Sequence, residues 1–313
     1  MTAVVMQAAA PRGGRAQGLR STMGQLVRRP EGLIGVVILT IFTVLAIAPV
    51  LFVGPLQSAV TATGTRLEAP SAAHIFGTDE LGRDMLNLTV HGARISLSIG
   101  LLATFVTVAL GVVVGIVAGF VGGFADSGLM RVTDFFLVIP TFVLALILTP
   151  IIQDVVGSAA TEVFGIRMSL VVIIFVIGIT SWSSTARIIR SQTMSVKERA
   201  FIDRARVIGS GPWRMMRVHI LPNVTGLIVA NAVLIFAGAI LTETTLAFIG
   251  LGDPFAPSWG QILGASQDAG APGLGAWWWY VSPGVCIVLV VLAFTLIGGA
   301  LDDLLNPKGR ARR

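Results

Sequence analysis

The sequence predicts an all-α integral membrane protein with six transmembrane helices, and three observations carry the prediction. Of 313 residues, 54% are hydrophobic and only 12% charged, with a mean hydropathy of +0.86. Soluble chains carry about 25% charged residues, so this composition cannot cover a water-facing surface. Six stretches, 32–65, 95–125, 135–153, 168–186, 218–242 and 269–301, contain no Asp, Glu, Lys or Arg, and crossing the hydrocarbon core takes about 20 apolar residues. The apolar texture is continuous, without the ten-residue alternation of a membrane barrel. The third observation is charge placement: of 22 Lys and Arg, 18 lie in segments on one side of the six spans and 4 on the other. The positive-inside rule then puts both termini in the cytosol.

Residues 1–32 read as a disordered cytosolic tail that holds topology through its arginines. The first span is placed at 33–53. Ala46-Ile47-Ala48 resembles a signal-peptidase site, but the long preceding segment and Pro49 after the site favour a retained anchor. Residues 54–94 form an extracytoplasmic segment, and 95–302 form a five-helix core with spans near 96–121, 132–152, 169–188, 223–246 and 281–301. Gly111, Gly115 and Gly119, four apart, give the second span a face that another helix can approach closely. Pro140 predicts a kink in the third. Trp277-Trp278-Trp279-Tyr280 reads as an interfacial belt where the last helix enters the membrane. Residues 303–313 are a basic cytosolic tail.

Between the fourth and fifth spans, the cytosolic loop 189–222 has internal order. Ser195 and Glu198 have the spacing of a capping box, predicting a helix start there. At 100° per residue, Phe201, Ile202, Ala205 and Ile208 share one side and Arg199, Asp203 and Arg206 the other. Gly209 and Gly211 can end that helix, and Pro212 suits the first turn of the next. An apolar stripe in water must be covered by the rest of the chain, by the membrane surface or by a partner.

The same loop resembles the cytoplasmic loop of permease subunits in ATP-binding-cassette importers, with the pattern EAA-x3-G-x9-I-x-LP. Here Asp203-Arg204-Ala205 is followed after three residues by Gly209, and after nine more by His219-Ile220-Leu221-Pro222. Two further stretches, HIFGTDELGRDMLNLTVHGARISL and ETTLAFIGLGDPFAPSWGQIL, are similar to segments of the dipeptide/oligopeptide/nickel branch. The C-terminal GGALDDLLNPKGR departs from that branch's GDGLRD-x-LDP pattern.

The resemblance implies a type I importer permease in a bacterial inner membrane, forming half of a path for peptides. It implies a homologous permease as heterodimeric partner, two cytosolic ATPases carrying ATP and Mg, and an extracytoplasmic solute-binding protein. This chain binds no cofactor on that reading, and its two lysines, Lys197 and Lys308, lack the phosphate-loop context. Glu198, Phe201, Asp203, Ala205, Ile208, Gly209, Leu221 and Pro222 become the ATPase-coupling candidates, with Phe201, Ala205 and Ile208 as a ridge buried in the motor. Gly77, Thr78, Asp79, Gly82, Arg83 and Asp84 mark the extracytoplasmic motif, where Asp79, Arg83 and Asp84 pair or fix its fold.

Ionisable groups within spans are costly and usually face a cavity or a partner. Glu243 is therefore a candidate for the path or its outer gate, with a structural helix contact as the competing reading; Asp134 reads more as structural. His74, His91 and His219 are scattered without metal-ligand spacing, and Cys286 sits in an apolar span as a packing residue. No hydrolase elbow, zincin helix or dinucleotide turn is present, and the basic residues follow topology instead of forming a nucleic-acid patch. An ion-gradient-driven secondary transporter is the alternative, but it predicts inverted repeats that are not evident.

Overall fold

The computed structural model describes residues 24–156, 162–163 and 166–305. Most of the predicted N-terminal tail and most of the C-terminal tail, 306–313, lie outside these. α1, Pro30–Ile47, starts on a proline whose fixed φ suits a first turn. It breaks at Ala48, and the short α2, Pro49–Val53, restarts on Pro49. α3, Met85–Val121, has 37 residues and begins well before the expected 96. The cause is Asp84, whose carboxylate accepts a 3.0 Å hydrogen bond from the backbone N–H of Asn87 and so caps the helix.

The third span is not continuous. α4, Gly123–Val138, and α5, Thr141–Val156, meet at 90°. Pro140 lacks an N–H and pushes the residue before it out of the helical region; Ile139 accordingly has φ −82° and ψ 126°. The expected kink is a full break. Among the described residues, five single helices are long and apolar enough to cross a membrane, and the bent pair adds a sixth if its two halves count as one span.

A two-residue antiparallel pair, β1 (Glu162–Val163) and β2 (Ile166–Arg167), leads into α6, Met168–Lys197. The Ser195–Glu198 capping box does not form. The Ser195 hydroxyl instead donates to the Ser191 carbonyl at 3.2 Å, inside α6. α6 simply continues to Lys197, and α7, Ala200–Val207, starts after Arg199 without a side-chain cap. α8 runs Pro212–Leu251. It carries a wide π-turn at Met215–Ile220, where the Leu221 N–H reaches back to the Met216 carbonyl, and Pro222 cannot donate in the next position. α9, Trp259–Asp268, is capped by Ser258, and α10, Trp277–Leu305, closes the described chain.

α3 and α6 form the central pair, and the glycine face works at that seam. A Cβ on Gly115 would lie 2.6 Å from the Ala186 carbonyl oxygen, and one on Gly119 2.8 Å from that of Arg190. Only glycine allows this approach. Ile99, Ala103, Ile173, Val176, Ile177 and Leu246 pack into one core cluster beside the seam. Leu101, Phe105, Val113 and Leu292 stay exposed on outer faces, as expected where lipid is the solvent. The aromatic run that opens α10 departs from a simple belt. Trp277 is exposed, Trp279 is buried among Met85, Leu88 and Ala276, and Trp278 donates its Nε1–H to the Thr78 carbonyl at 3.0 Å.

Candidate functional site

The 189–222 loop is built from the end of α6, α7 and the start of α8. Ile202 is fully buried and Ala205 nearly so, packed with Ile116, Val196, Met215, Ile220 and Val224. Of the three possible covers for the apolar stripe, the chain itself therefore covers most of it. This corrects the expected ridge. Ala205 faces inward, and Phe201 is half-buried near the His219 ring at 6.5 Å between centroids. α7 has only two turns, so the neighbouring helix ends take up its stripe apart from Ile208.

The exposed apolar surface lies at the tip instead. Val207 is 88% exposed, Ile208 84% and Trp213 70%. Gly209 makes the tip possible: its φ is +86°, and the Ser210 N–H returns to the Ala205 carbonyl at 3.0 Å, closing the helix C-terminus. Arg204, Arg206, Arg214 and Arg217 are all exposed around it. Glu198 and Asp203 are exposed too, whereas Leu221 and Pro222 are half-buried in the first turn of α8. Val207 and Trp213 were not singled out from the sequence. The signal for them was the position of large apolar residues on either side of the glycine turn.

The loop is tied to the bundle by charge. Lys197 donates to the Phe120 carbonyl at 2.7 Å, at the end of α3. Arg190 binds both carboxylate oxygens of Asp126. Arg187 meets Asp134 at 2.6 Å, with both side chains more than half exposed. Asp134 is thus an α4–α6 surface contact in the single chain.

At the opposite end, the 74–84 motif folds onto itself. Asp79 is fully buried; it accepts from the backbone N–H groups of Leu81 and Arg83 and from Arg83 Nε at 2.7 Å. Thr78 donates to the Thr65 carbonyl at 2.6 Å. Asp84 caps α3 and binds His74 Nδ1 at 2.8 Å. Gly82 has φ +76°, and Gly77 packs on the Trp278 ring with no room for a Cβ. Asp79 and Arg83 pair as expected, while Asp84 finds His74, a partner the sequence reading left unassigned.

Glu243, on α8, is 1% exposed and accepts from the Ser96 hydroxyl of α3 at 3.2 Å. The same Ser96 oxygen accepts the Trp259 backbone N–H at 3.1 Å, so Glu243, α3 and α9 meet at one hydroxyl. Gly260 and Gly264 bring α9 onto the backbone of Thr244 and Phe248. A third buried carboxylate beside Asp79 and Glu243, Asp253, was missed. It accepts from the Ser169 hydroxyl at 2.6 Å, from Arg167 at 3.1 Å and from the Phe255 N–H at 2.8 Å. Its signal was an acid in the otherwise apolar GLGDPF turn. Among the described residues, no group of three or more His, Cys, Asp or Glu could hold a metal.

Residues 111–311 match the family model described as binding-protein-dependent transport system inner membrane component. The Dipeptide transport system permease protein DppC of Escherichia coli K12 is 36% identical over 280 residues, covering 88% of each chain. DppC of Alkalihalophilus pseudofirmus is 34% identical over 293 residues, covering 92% of this chain and 90% of that one. A solved chain of the MetNI methionine ABC transporter, in an inward-facing conformation, aligns with a TM-score of 0.53 at 20% identity, over 71% of this chain and 97% of that one. At that identity the likeness concerns the fold, which is the type I importer permease fold. With the family model spanning well over half of the sequence, the chain belongs to the inner-membrane components of binding-protein-dependent transport systems.

Proposed function

We propose that this subunit forms half of the translocation path of a peptide importer, paired with a homologous permease and driven by two separate ATPases that bind ATP and Mg. A solute-binding protein delivers cargo to the end bearing the 74–84 motif. Both termini and the 189–222 loop lie in the cytosol, and the peptide class comes from relatives named as dipeptide permeases. The observation that carries the coupling role is the bare tip Val207, Ile208 and Trp213, ringed by four arginines. Burying one such apolar side chain is worth about 1.5–3 kcal/mol, which favours an apolar groove with an acidic rim on a motor subunit.

On this reading, closure of the ATPases moves the tip, and α6 and α8 carry the displacement into the membrane. Proteoliposomes holding the whole complex and its binding protein test it with a labelled dipeptide. Uptake is expected only with ATP inside the ATPase-facing compartment. Replacing Gly209 with Val strains the +86° turn, and it is expected to leave ATP hydrolysis while abolishing uptake. Full uptake by that variant, or uptake without the ATPases, defeats the reading. A thiol placed by Arg206→Cys is expected to react with impermeant reagent only in inside-out vesicles, and reaction in intact cells reverses the orientation.

A further inference from the structure

At the end bearing the 74–84 motif, a cavity of about 630 Å³ opens between that segment and the 254–265 stretch leading into α9. Its size falls in the range of small-molecule sites, about 300–1,000 Å³. Arg83 lines it and, among the described residues, is the only formally charged one to do so, with no Asp or Glu on the wall. The guanidinium is held from behind, because its Nε donates to the fully buried Asp79 at 2.7 Å. Both Nη groups are left without a partner among the described residues, and the side chain remains 26% exposed. A fixed guanidinium with a free edge suits a carboxylate.

A second group points to a ligand. The Oε1 of Gln261, on the same wall, is buried and has no hydrogen-bond partner among the described residues. A buried acceptor without a donor is costly, and turning the amide toward the cavity lets an entering N–H relieve it. Phe255, Leu56 and Leu81, all exposed, complete the wall with apolar and aromatic surface.

We propose that this cavity binds the C-terminal end of a short peptide. Arg83 pairs with the terminal carboxylate, the turned Gln261 amide accepts a peptide N–H through Oε1, and the exposed Phe255 face takes an apolar side chain. The site is separate from the helix contacts around Glu243, and the inference rests on the peptide-import reading above.

The test uses the complete permease–ATPase complex in nanodiscs without its binding protein, and measures equilibrium binding of a radiolabelled tripeptide with an apolar C-terminal residue. Saturable binding is expected, with the C-terminally amidated tripeptide competing at least about tenfold more weakly. Ala59, an exposed wall residue, changed to Trp fills the space and is expected to weaken binding at least about tenfold while ATP hydrolysis shows the complex intact. Arg83→Lys is expected to reduce the preference for acid over amide. Equal binding of acid and amide by the unmodified complex, or no saturable binding, overturns the proposal without any variant. So does loss of binding-protein affinity in Ala59→Trp with tripeptide binding unchanged, which makes the cavity a protein dock. Binding-protein-dependent uptake is measured in parallel. Uptake without cavity binding defeats this inference alone, whereas absence of peptide uptake defeats the reading beneath it.

Discussion

The two ends of the molecule solve the same problem in opposite ways. Each is a connection between apolar helices that must live with water. The end holding 54–84 and 252–268 keeps its buried acids paired internally: Asp79 with three donors, Asp84 with His74 and Asn87, Asp253 with Ser169 and Arg167. The 198–217 end keeps its charges outside and leaves Val207, Ile208 and Trp213 bare. The first arrangement specifies one rigid shape within the chain. The second is complete only when something else covers it. Substitutions at the first end should therefore cost folding, and those at the second should cost assembly and coupling.

The largest expected effect is Asp79→Ala. It strips the partner from half-buried Arg83 and from two backbone donors, and removing one member of a buried ion pair costs about 3–5 kcal/mol. Unfolding of the purified complex in mixed micelles reads this directly; a loss under about 1 kcal/mol would break the contrast. Gly260→Ala comes next. Its new Cβ would sit 2.4 Å from the Thr244 carbonyl oxygen, and such overpacking costs about 1–3 kcal/mol by the same measurement.

At the other end, Ile208→Ser with Trp213→Ser should change stability by no more than about 0.5 kcal/mol, since both side chains are exposed. Co-purification with the ATPases should nevertheless fall severalfold; full retention would show that the tip is not gripped. The smallest effect belongs to Arg206→Gln. Its contact with Asp203 is 3.5 Å long and both side chains are exposed, so stability should move by less than about 0.5 kcal/mol. ATPase affinity should lose part of its salt dependence, which a titration of ionic strength measures.

What was legible in the sequence follows the range of the interactions involved. Span count and the glycine seam depend on composition and on spacing within one helix, and both could be read. Gly209 and Pro212 announced the turn between α7 and α8 because their backbone constraints are local. The failures involve competition or distance. Ser195 and Glu198 had the spacing of a cap, but the helix already running through them offered the Ser191 carbonyl first. Ala205 and Ile208 share a projected stripe, yet only the approach of α8 decides which is covered. Asp253 meets Ser169 across 84 residues, a pairing that no local pattern encodes.

α6 has one more implication. Its 30 residues extend about 45 Å, longer than the hydrocarbon is thick, with glycines of α3 pressed against its backbone along half that length. Lys197 at one tip grips the end of α3, and Ser169 at the other grips the turn holding Asp253. A stiff rod clasped at both extremities hardly compresses or shears. If the coupling proposed above holds, a push received near Lys197 is carried along this rod to the far side with little loss.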